Sequence, residues 1–237
     1  MFRTLKANEI DCRVAQIASN WLTLLLYKDA RADMDVLDET VGPMRWKREH
    51  LRDNANCVVS IYNEETKEWV SKEDTGTESF SEAEKGLASD SFKRACVNWG
   101  IGRELYTAPS IFILPSKEMI PKGQEAEFYK NDKGKFETKT RFWVEYIDYN
   151  KDREIENLII RDNKNHVRFS QLTKEKEQEL LKTSQELTKL ITKIEETDEK
   201  FDREKFYDYF KVKNESELTI EQKDEAIKLL KKKIGDK

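Results

Sequence analysis

Apolar side chains recur at helical spacing in two segments of the first hundred residues. Between Asn20 and Thr40 leucines and other apolar residues recur every three or four positions, and Gly42 follows where a helix would end. The segment from Ser81 to Trp99 shows the same spacing, with Ser81 at the N-cap and Gly100 at the position of a left-handed C-cap. Both segments are therefore predicted to be helices.

Short runs of alternating apolar and polar residues predict strands in the same part of the chain. The stretch NCVVSIYNEETKEWVSKED contains two β-prone runs around the polar turn NEETK, which predicts a hairpin, and Trp46 is predicted to begin a third strand before it. The runs SIFIL, AEFYK, RFWVEYIDY, IENLIIRD and HVRFS predict further strands joined by polar turns. Their alternation predicts a sheet with one face in solvent, so the fold class is α+β.

Composition changes near residue 170. All prolines, all tryptophans and all glycines but one precede this point, and the rest of the chain is charged and periodic. We expect three helices there, the first of them long, with Asp202 and Thr219 at the starts of the other two. The predicted domains are residues 1–170 and a small helical bundle of residues 171–237.

The composition makes several classes of protein improbable. No apolar run approaches the length of a membrane span, and the first residues have no apolar signal core, so we expect a cytoplasmic protein. The cysteines Cys12, Cys57 and Cys96 are dispersed and expected to be small buried hydrophobes, and His50 and His166 are the only histidines. Because a phosphate-binding loop motif is also missing, we expect neither a metal nor a nucleotide cofactor.

The charge distribution restricts nucleic-acid binding to a local site. The formal net charge is -4, and the 16 basic residues after residue 170 are balanced by 17 acidic ones. A basic site, if present, is expected on the helix from Ser81, where Lys85 and one of the adjacent pair Lys93 and Arg94 share a face. The alternative is that these cations form an ordinary solvated helix face.

The sequence around this helix resembles a known family. The segment DTGTESFSEAEKGLASDSFKRACVNWGIGRELY resembles the one that marks the Rad52 superfamily of single-strand annealing proteins, particularly its bacteriophage Sak-like members. The stretches EIDCRVAQI and LLYKDARADMDVLDETVGPMRW resemble the family's basic segment before the first helix and that helix itself. The three blocks cover about the first 110 residues in the family's order.

The resemblance implies a β-β-β-α core that assembles into homo-oligomeric rings or short helical filaments. Single-stranded DNA then lies in a basic groove, and complementary strands are annealed during recombination and repair without ATP and without covalent catalysis. The family's groove lysine falls on Lys93, its neighbouring arginine on Arg94, the basic residue before the first helix on Arg13, and a third basic position on Lys85. The family's second DNA site aligns with no residue of this chain.

Three further features admit two interpretations each. Arg103 either extends the basic stripe or pairs with the adjacent Glu104. Gly100 and Gly102 are expected to end the helix rather than to approach a phosphate. Four tryptophans are either stacking platforms for bases or, as we expect for most of them, buried: Trp46, Trp69, Trp99 and Trp143.

The C-terminal segment resembles the small helical module that phage annealing proteins often carry. Such a module recruits a partner, either the host single-strand binding protein or a phage exonuclease. An equally good interpretation is a bundle that only packs on its own ring. A basic end is available to receive an acidic tail, and it consists of Lys228, Lys231, Lys232 and Lys233.

Two other functions compete with strand annealing. The triplet within EETK, residues 64–67, has the acid-x-lysine pattern of metal-dependent nucleases, although it lies in a predicted hairpin turn. A protein-interaction scaffold without DNA binding is the second alternative. Degradation of labelled DNA in magnesium would support the first, and failure to retain DNA on a filter would support the second.

Overall fold

The computed structural model describes residues 1–77, 83–198 and 200–235. It is an α+β protein with antiparallel sheets, and the chain divides into two compact units. The first unit comprises residues 1–13, 25–110 and 149–155, and the second comprises residues 14–24, 111–148 and 156–237. Each unit is described separately below.

The strands and helices follow in chain order. The strands are β1 (Asp11–Ile17), β2 (Leu22–Tyr27), β3 (Trp46–Leu51), β4 (Asn56–Asn63), β5 (Glu68–Thr75), β6 (Ile111–Ile113), β7 (Tyr129–Lys130), β8 (Phe136–Glu137), β9 (Phe142–Tyr149), β10 (Ile155–Asp162) and β11 (Val167–Gln171). The α-helices are α1 (Ala30–Val41), α2 (Ala83–Asn98), α3 (Lys174–Thr197), α4 (Arg203–Tyr209) and α5 (Ile220–Gly235). Short 3-10 helices span Ala7–Glu9, Arg103–Thr107, Lys117–Met119 and Glu215–Glu217.

The first unit contains an antiparallel sheet in the order β3-β4-β5, so the predicted hairpin and the predicted strand from Trp46 are confirmed. Residues directly opposite one another in an antiparallel sheet share a face. Arg48, Val59 and Lys72 are opposite one another on one face. Helix α2 packs on this face, because the Arg48 guanidinium lies 4.7 Å from the centre of the Phe92 ring in α2.

A glycine after β5 sets the close approach of the sheet to α2. A Cβ atom on Gly76 would lie 2.5 Å from the backbone nitrogen of Ser91 and 2.7 Å from the carbonyl oxygen of Leu87. The amide of Gly76 donates to the Ala55 carbonyl at 2.8 Å, and the Ser91 hydroxyl donates to the Asn54 carbonyl at 3.0 Å. Only a residue without a side chain fits between these backbones.

The end of α2 follows the prediction from the sequence. Gly100 has a φ of +92°, and the amide of Ile101 donates to the Cys96 carbonyl at 3.1 Å, which is the bond that closes a Schellman cap. Phe92, Ala95 and Cys96 are fully buried on the sheet side of the helix. The predicted N-cap, Ser81, lies outside the described residues.

The prediction of one helix from Asn20 to Thr40 is wrong in its first part. Residues 22–27 form β2, in which alternate side chains are buried, beginning with Leu22 and Leu24. Helix α1 begins after Asp29, whose carboxylate accepts hydrogen bonds from the amides of Arg31 and Ala32. The run LTLLLY satisfies a period of two as well as a helical period, and pairing within a sheet selected the strand. Strand β1 was not predicted from the sequence.

The second unit contains most residues of a sheet in the order β11-β10-β9-β1-β2-β6. The strands predicted at SIFIL, AEFYK, RFWVEYIDY, IENLIIRD and HVRFS are confirmed, and β8 was missed. The prediction of a solvent-exposed face is wrong for β10, in which every residue except Glu156 is buried. The segment before α5 covers this strand, because the guanidinium of Arg161 donates to the Leu218 carbonyl at 2.9 Å.

The three predicted C-terminal helices are confirmed as α3, α4 and α5. Asp202 caps α4, and Thr219 forms a capping box with Gln222 at the start of α5, as the sequence predicted. The buried side chains of these helices form one cluster with Val212 and Leu218. A functional boundary near residue 170 stays a prediction.

Candidate nucleic-acid interface

Helix α2 presents its adjacent cations, Lys93 and Arg94, on different flanks. The Arg94 side chain is 46% exposed, and its Nε lies 3.3 Å from a carboxylate oxygen of Asp74 in β5. Lys93 is half-buried and acts electrostatically on Asp33 of α1. Neighbouring helical residues point about 100° apart, which explains the separation. The two cations therefore do not form one patch, and each belongs to a different set of neighbours.

The α1 flank contains a buried ion pair between Lys28 and Asp33. Burial raises the pKa of Asp33 to about 7, although the charges of Lys28 and Lys93 act in the opposite direction. The Lys28 ammonium also donates to the carbonyl of Ile101 at 3.0 Å. Gly102 lies beside it with a φ of +71°, and a Cβ there would lie 2.7 Å from two carbons of the Lys28 side chain. This pair fixes α1 to the turn after α2.

The β5 flank contains Lys72 and Arg103 at the C-terminal end of α2. The Lys72 ammonium donates to the Asn98 carbonyl at 2.9 Å and lies 4.6 Å from the centre of the Trp99 ring. Arg103 donates from Nη2 to the carbonyls of Val97 and Asn98, at 2.9 Å and 3.3 Å. Lys72 was not identified from the sequence, although the strand alternation that places it on the face of Val59 was available.

Glu104, the alternative partner expected for Arg103, interacts with other residues. Glu104 is buried, accepts a hydrogen bond from the amide of Leu5 at 2.7 Å and pairs with Arg153 at 3.3 Å. The interpretation that Arg103 pairs with Glu104 is therefore wrong, and Arg103 binds the end of α2 instead. Arg13 is exposed on β1, and Lys85 is exposed near the start of α2. Their roles in DNA binding stay predictions.

The tryptophans are more exposed than expected. Trp46 and Trp99 are half-buried, whereas Trp69 and Trp143 are 43% and 37% exposed. Trp69 lies on the face of the β3-β4-β5 sheet opposite to α2, with the Lys47 ammonium 4.6 Å from its ring centre. The Lys72 ammonium lies at the same distance from the Trp99 ring on the other face of the sheet.

The acid-x-lysine triplet that suggested a nuclease forms local ion pairs. Glu64 pairs with Lys67 at 3.0 Å and with Arg45 at 3.1 Å in the exposed β4-β5 turn. Within residues 1–77, 83–198 and 200–235, no cluster of three or more His, Cys, Asp or Glu side chains could hold a metal ion.

Among the described residues, every helix is too short or too polar to span a membrane. Cys57 and Cys96 are fully buried, as predicted, and Cys12 is partly buried.

The four lysines of the basic C-terminal end differ in their interactions. Lys231 pairs with Glu186 at 2.6 Å, and Lys233 pairs with Asp198 at 3.2 Å. Lys228 and Lys232 are exposed on α5. In the described part of the chain, only Lys228 and Lys232 of these four extend into solvent without an ion pair.

Comparison with protein families matches residues 33–122 to the Rad52/22 family double-strand break repair protein. The matched segment includes the β3-β4-β5 sheet, all described residues of α2, and Lys72, Lys93, Arg94 and Arg103. Neither a curated protein nor a solved structure matches the chain at a significant level. The family match agrees with the resemblance around Lys93 and Arg94. Over residues 33–122, the chain is therefore similar to the Rad52/22 family.

Proposed function

We propose that the protein binds single-stranded DNA and anneals complementary strands in homologous recombination of the bacteriophage Sak-like type. One observation carries the proposal. The segment that matches a double-strand break repair family contains the helix with Lys93 and Arg94 and the sheet on which that helix packs. A DNA repair function of the family and a set of exposed cations on the same segment support this proposal together.

The proposed mechanism is presentation of one strand to another. Cations at Arg13, Lys93, Arg94 and neighbouring positions bind phosphates, and the bases point away from the protein. The Watson-Crick edges then stay available, so a second strand tests pairing without melting a duplex. No bond is made or broken by the protein, and the proposal requires neither ATP nor a metal cofactor.

The net charge of -4 is compatible with this mechanism if the protein is a homo-oligomer. A ring or short filament repeats a narrow basic stripe in each subunit, so a long strand contacts many cations although the net charge of each chain is negative. Sedimentation with and without an oligonucleotide tests this requirement. A protein that stays monomeric in both conditions contradicts the mechanism.

The Lys93→Ala variant tests the helix as a DNA site. We expect a loss of single-strand affinity. We also expect the slope of log affinity against log salt concentration to be smaller in magnitude by about 0.7, which is the value of one phosphate contact on a single strand. Fluorescence anisotropy of a labelled oligonucleotide over a salt series measures both quantities. Lys189→Ala, at an exposed position of α3, is the matched control. Unchanged binding by Lys93→Ala at moderate salt removes Lys93 and the α1 flank of the helix from the site.

We also propose that the basic end of α5 binds an acidic partner, either the host single-strand binding protein or a phage exonuclease. The exposed lysines Lys228 and Lys232 support this proposal most directly, because Lys231 and Lys233 are ion-paired. The Lys228→Glu and Lys232→Glu double variant is expected to anneal naked strands normally and strands coated with the binding protein poorly. If the double variant anneals both naked and coated strands at the wild-type rates, a partner site at this position is contradicted.

A further inference from the structure

Two cations converge on a single carbonyl oxygen at the C-terminal end of α2. The Lys72 ammonium is 2.9 Å from the Asn98 oxygen, and the Arg103 guanidinium is 3.3 Å from the same atom. Both side chains are exposed at the surface of the first unit. Their charges are therefore close neighbours in a region that solvent and ligands can reach.

The negative end of α2 alone does not neutralise this pair. A helix C-terminus carries the equivalent of about half an elementary negative charge, whereas Lys72 and Arg103 carry one positive charge each. Over the residues that the structure describes, no carboxylate forms an ion pair with Lys72 or Arg103. Arg94, one helical turn before Asn98, differs in this respect because it has Asp74. The pair at the helix end retains a net positive charge that favours an anion.

Both groups also retain hydrogen-bond donors. An ammonium has three N–H donors, and Lys72 uses one of them for Asn98. A guanidinium has five, and Arg103 uses its Nη2 for the two helix carbonyls. The remaining donors suit the oxygens of a phosphate group, which binds several N–H groups at once.

Trp99 holds Lys72 in place for such a contact. Its indole nitrogen is anchored to the Val59 carbonyl at 3.1 Å, and the Lys72 ammonium lies 4.6 Å from the ring centre. A cation above an aromatic ring is attracted by it, so part of the conformational freedom of the lysine is already lost before a ligand binds. Preorganisation of this kind reduces the entropic cost of binding.

We infer that Lys72 and Arg103 jointly bind one phosphate group of single-stranded DNA, on the β5 flank of α2. This inference rests on the proposed function and adds to it Lys72, which lies outside the motif around Lys93. The strand bound by α2 then reaches the C-terminal end of the helix, where Trp99 lies beside the phosphate site.

The opposite face of the same sheet provides a matched control. Lys47 is exposed and lies 4.6 Å from the Trp69 ring centre, as Lys72 does from Trp99. Lys47 faces away from α2, because it is opposite Ser60 and Ser71 rather than Val59. Lys47→Ala therefore removes the same charge and the same type of ring contact, but not the pair at the helix end.

The experiment compares binding of a labelled single-stranded oligonucleotide by the full chain and its Lys72→Ala, Lys72→Arg, Lys47→Ala and Lys72→Ala/Arg103→Gln variants. At 0.1 M salt we expect Lys72→Ala to weaken binding up to about fivefold, which is the contribution of one phosphate contact, and Lys72→Arg to retain most of the affinity. If both cations bind one phosphate, the double variant lowers the log-log salt slope by about 0.7 and not by twice that value. Urea unfolding checks that each variant is folded.

The outcomes separate this inference from the proposed function. If the wild type fails to bind single-stranded DNA, the proposed function is wrong. If the wild type binds, Lys93→Ala weakens binding and Lys72→Ala behaves like Lys47→Ala, the proposed function stands and the phosphate site at the end of α2 does not exist. A slope that falls by about 1.4 in the double variant also overturns the shared phosphate, because two separate phosphates are then bound.

Discussion

The arginines of the second unit and the cations around α2 show two different uses of positive charge. Arg161 is 5% exposed and pairs with the buried carboxylate of Glu145 at 2.5 Å. Arg168 is 6% exposed and pairs with Glu127 at 2.9 Å and Asp162 at 3.1 Å. In the first unit, the exposed cations Lys72 and Arg103 at the end of α2 donate to backbone carbonyls and have no carboxylate partner within the described chain.

The difference identifies which cations are required for folding. A buried guanidinium is stable only when carboxylates and carbonyls satisfy it, and its removal leaves those acceptors without a partner. An exposed cation bound to a carbonyl loses little when it is removed, because water replaces it. Charge therefore stabilises the second unit, whereas at the end of α2 it is available for a ligand.

The largest expected effect is that of Arg161→Met. We expect the free energy of unfolding to fall by about 3–5 kcal/mol, because Glu145 would keep a buried charge without its partner and the Leu218 carbonyl would lose a donor. Urea unfolding followed by circular dichroism measures the loss. Arg203→Met is the control, since its ion pair with Glu195 is exposed and is expected to contribute at most about 1 kcal/mol. Similar losses in both variants would contradict the distinction drawn here.

Gly76→Ala tests the close packing of β5 against α2, the two elements that position the exposed cations. The added methyl group would overlap the backbone of Ser91 and Leu87, so β5 and α2 must separate. We expect a loss of about 1–3 kcal/mol in unfolding free energy, measured by the same urea titration. Gly235→Ala is the control, because nothing lies within 4 Å of a Cβ at that position. An unchanged midpoint for Gly76→Ala would mean that the two elements are not closely packed.

Much of the fold was predictable because its signals are local. The β3-β4-β5 strands, the glycine that ends α2 and the caps at Asp202 and Thr219 depend on residues within a few positions of each other. The strand at residues 22–27 was missed because LTLLLY fits two periods, and only its pairing with β6 distinguishes them. Long-range pairing of this kind cannot be derived from spacing alone.

The candidate site was predictable to a smaller extent. The motif around Lys93 and Arg94 led to the family whose model matches residues 33–122, but it did not show that the two cations lie on different flanks. Lys72 was missed because its position depends on strand register and on the carbonyl of Asn98, which is 26 residues away in sequence. Which cations keep a carboxylate partner is likewise a property of the folded chain.

A third prediction concerns the buried carboxylate of the first unit. The folded-state pKa of Asp33, about 7, is higher than its ordinary value of 3.8, so its contribution to stability is fully present below pH 3.8 and is lost as the pH rises through 7. Between pH 6 and pH 7 we expect the unfolding free energy to fall by about 1 kcal/mol from this group. Asp33→Asn should remove that component of the pH dependence, and Asp35→Asn, on the exposed face of α1, should retain it. Parallel pH profiles for wild type and Asp33→Asn would show that this carboxylate does not titrate in the range.

The smallest expected effect is a gain of affinity in Asp74→Asn. The Asp74 carboxylate pairs with Arg94 and thereby reduces the charge that this residue offers to a phosphate. Asparagine can keep a hydrogen bond with Asn98 but not the ion pair, so we expect single-strand affinity to rise by less than about fivefold at 0.1 M salt, the limit set by one additional phosphate contact. Glu73→Gln is the control, because it removes the same charge from the adjacent residue, whose side chain lies on the face of Val58, opposite to α2. If both variants gain equally, only net charge affects binding. A gain confined to Asp74→Asn would show that the carboxylate partner decides whether a cation near α2 is available to DNA.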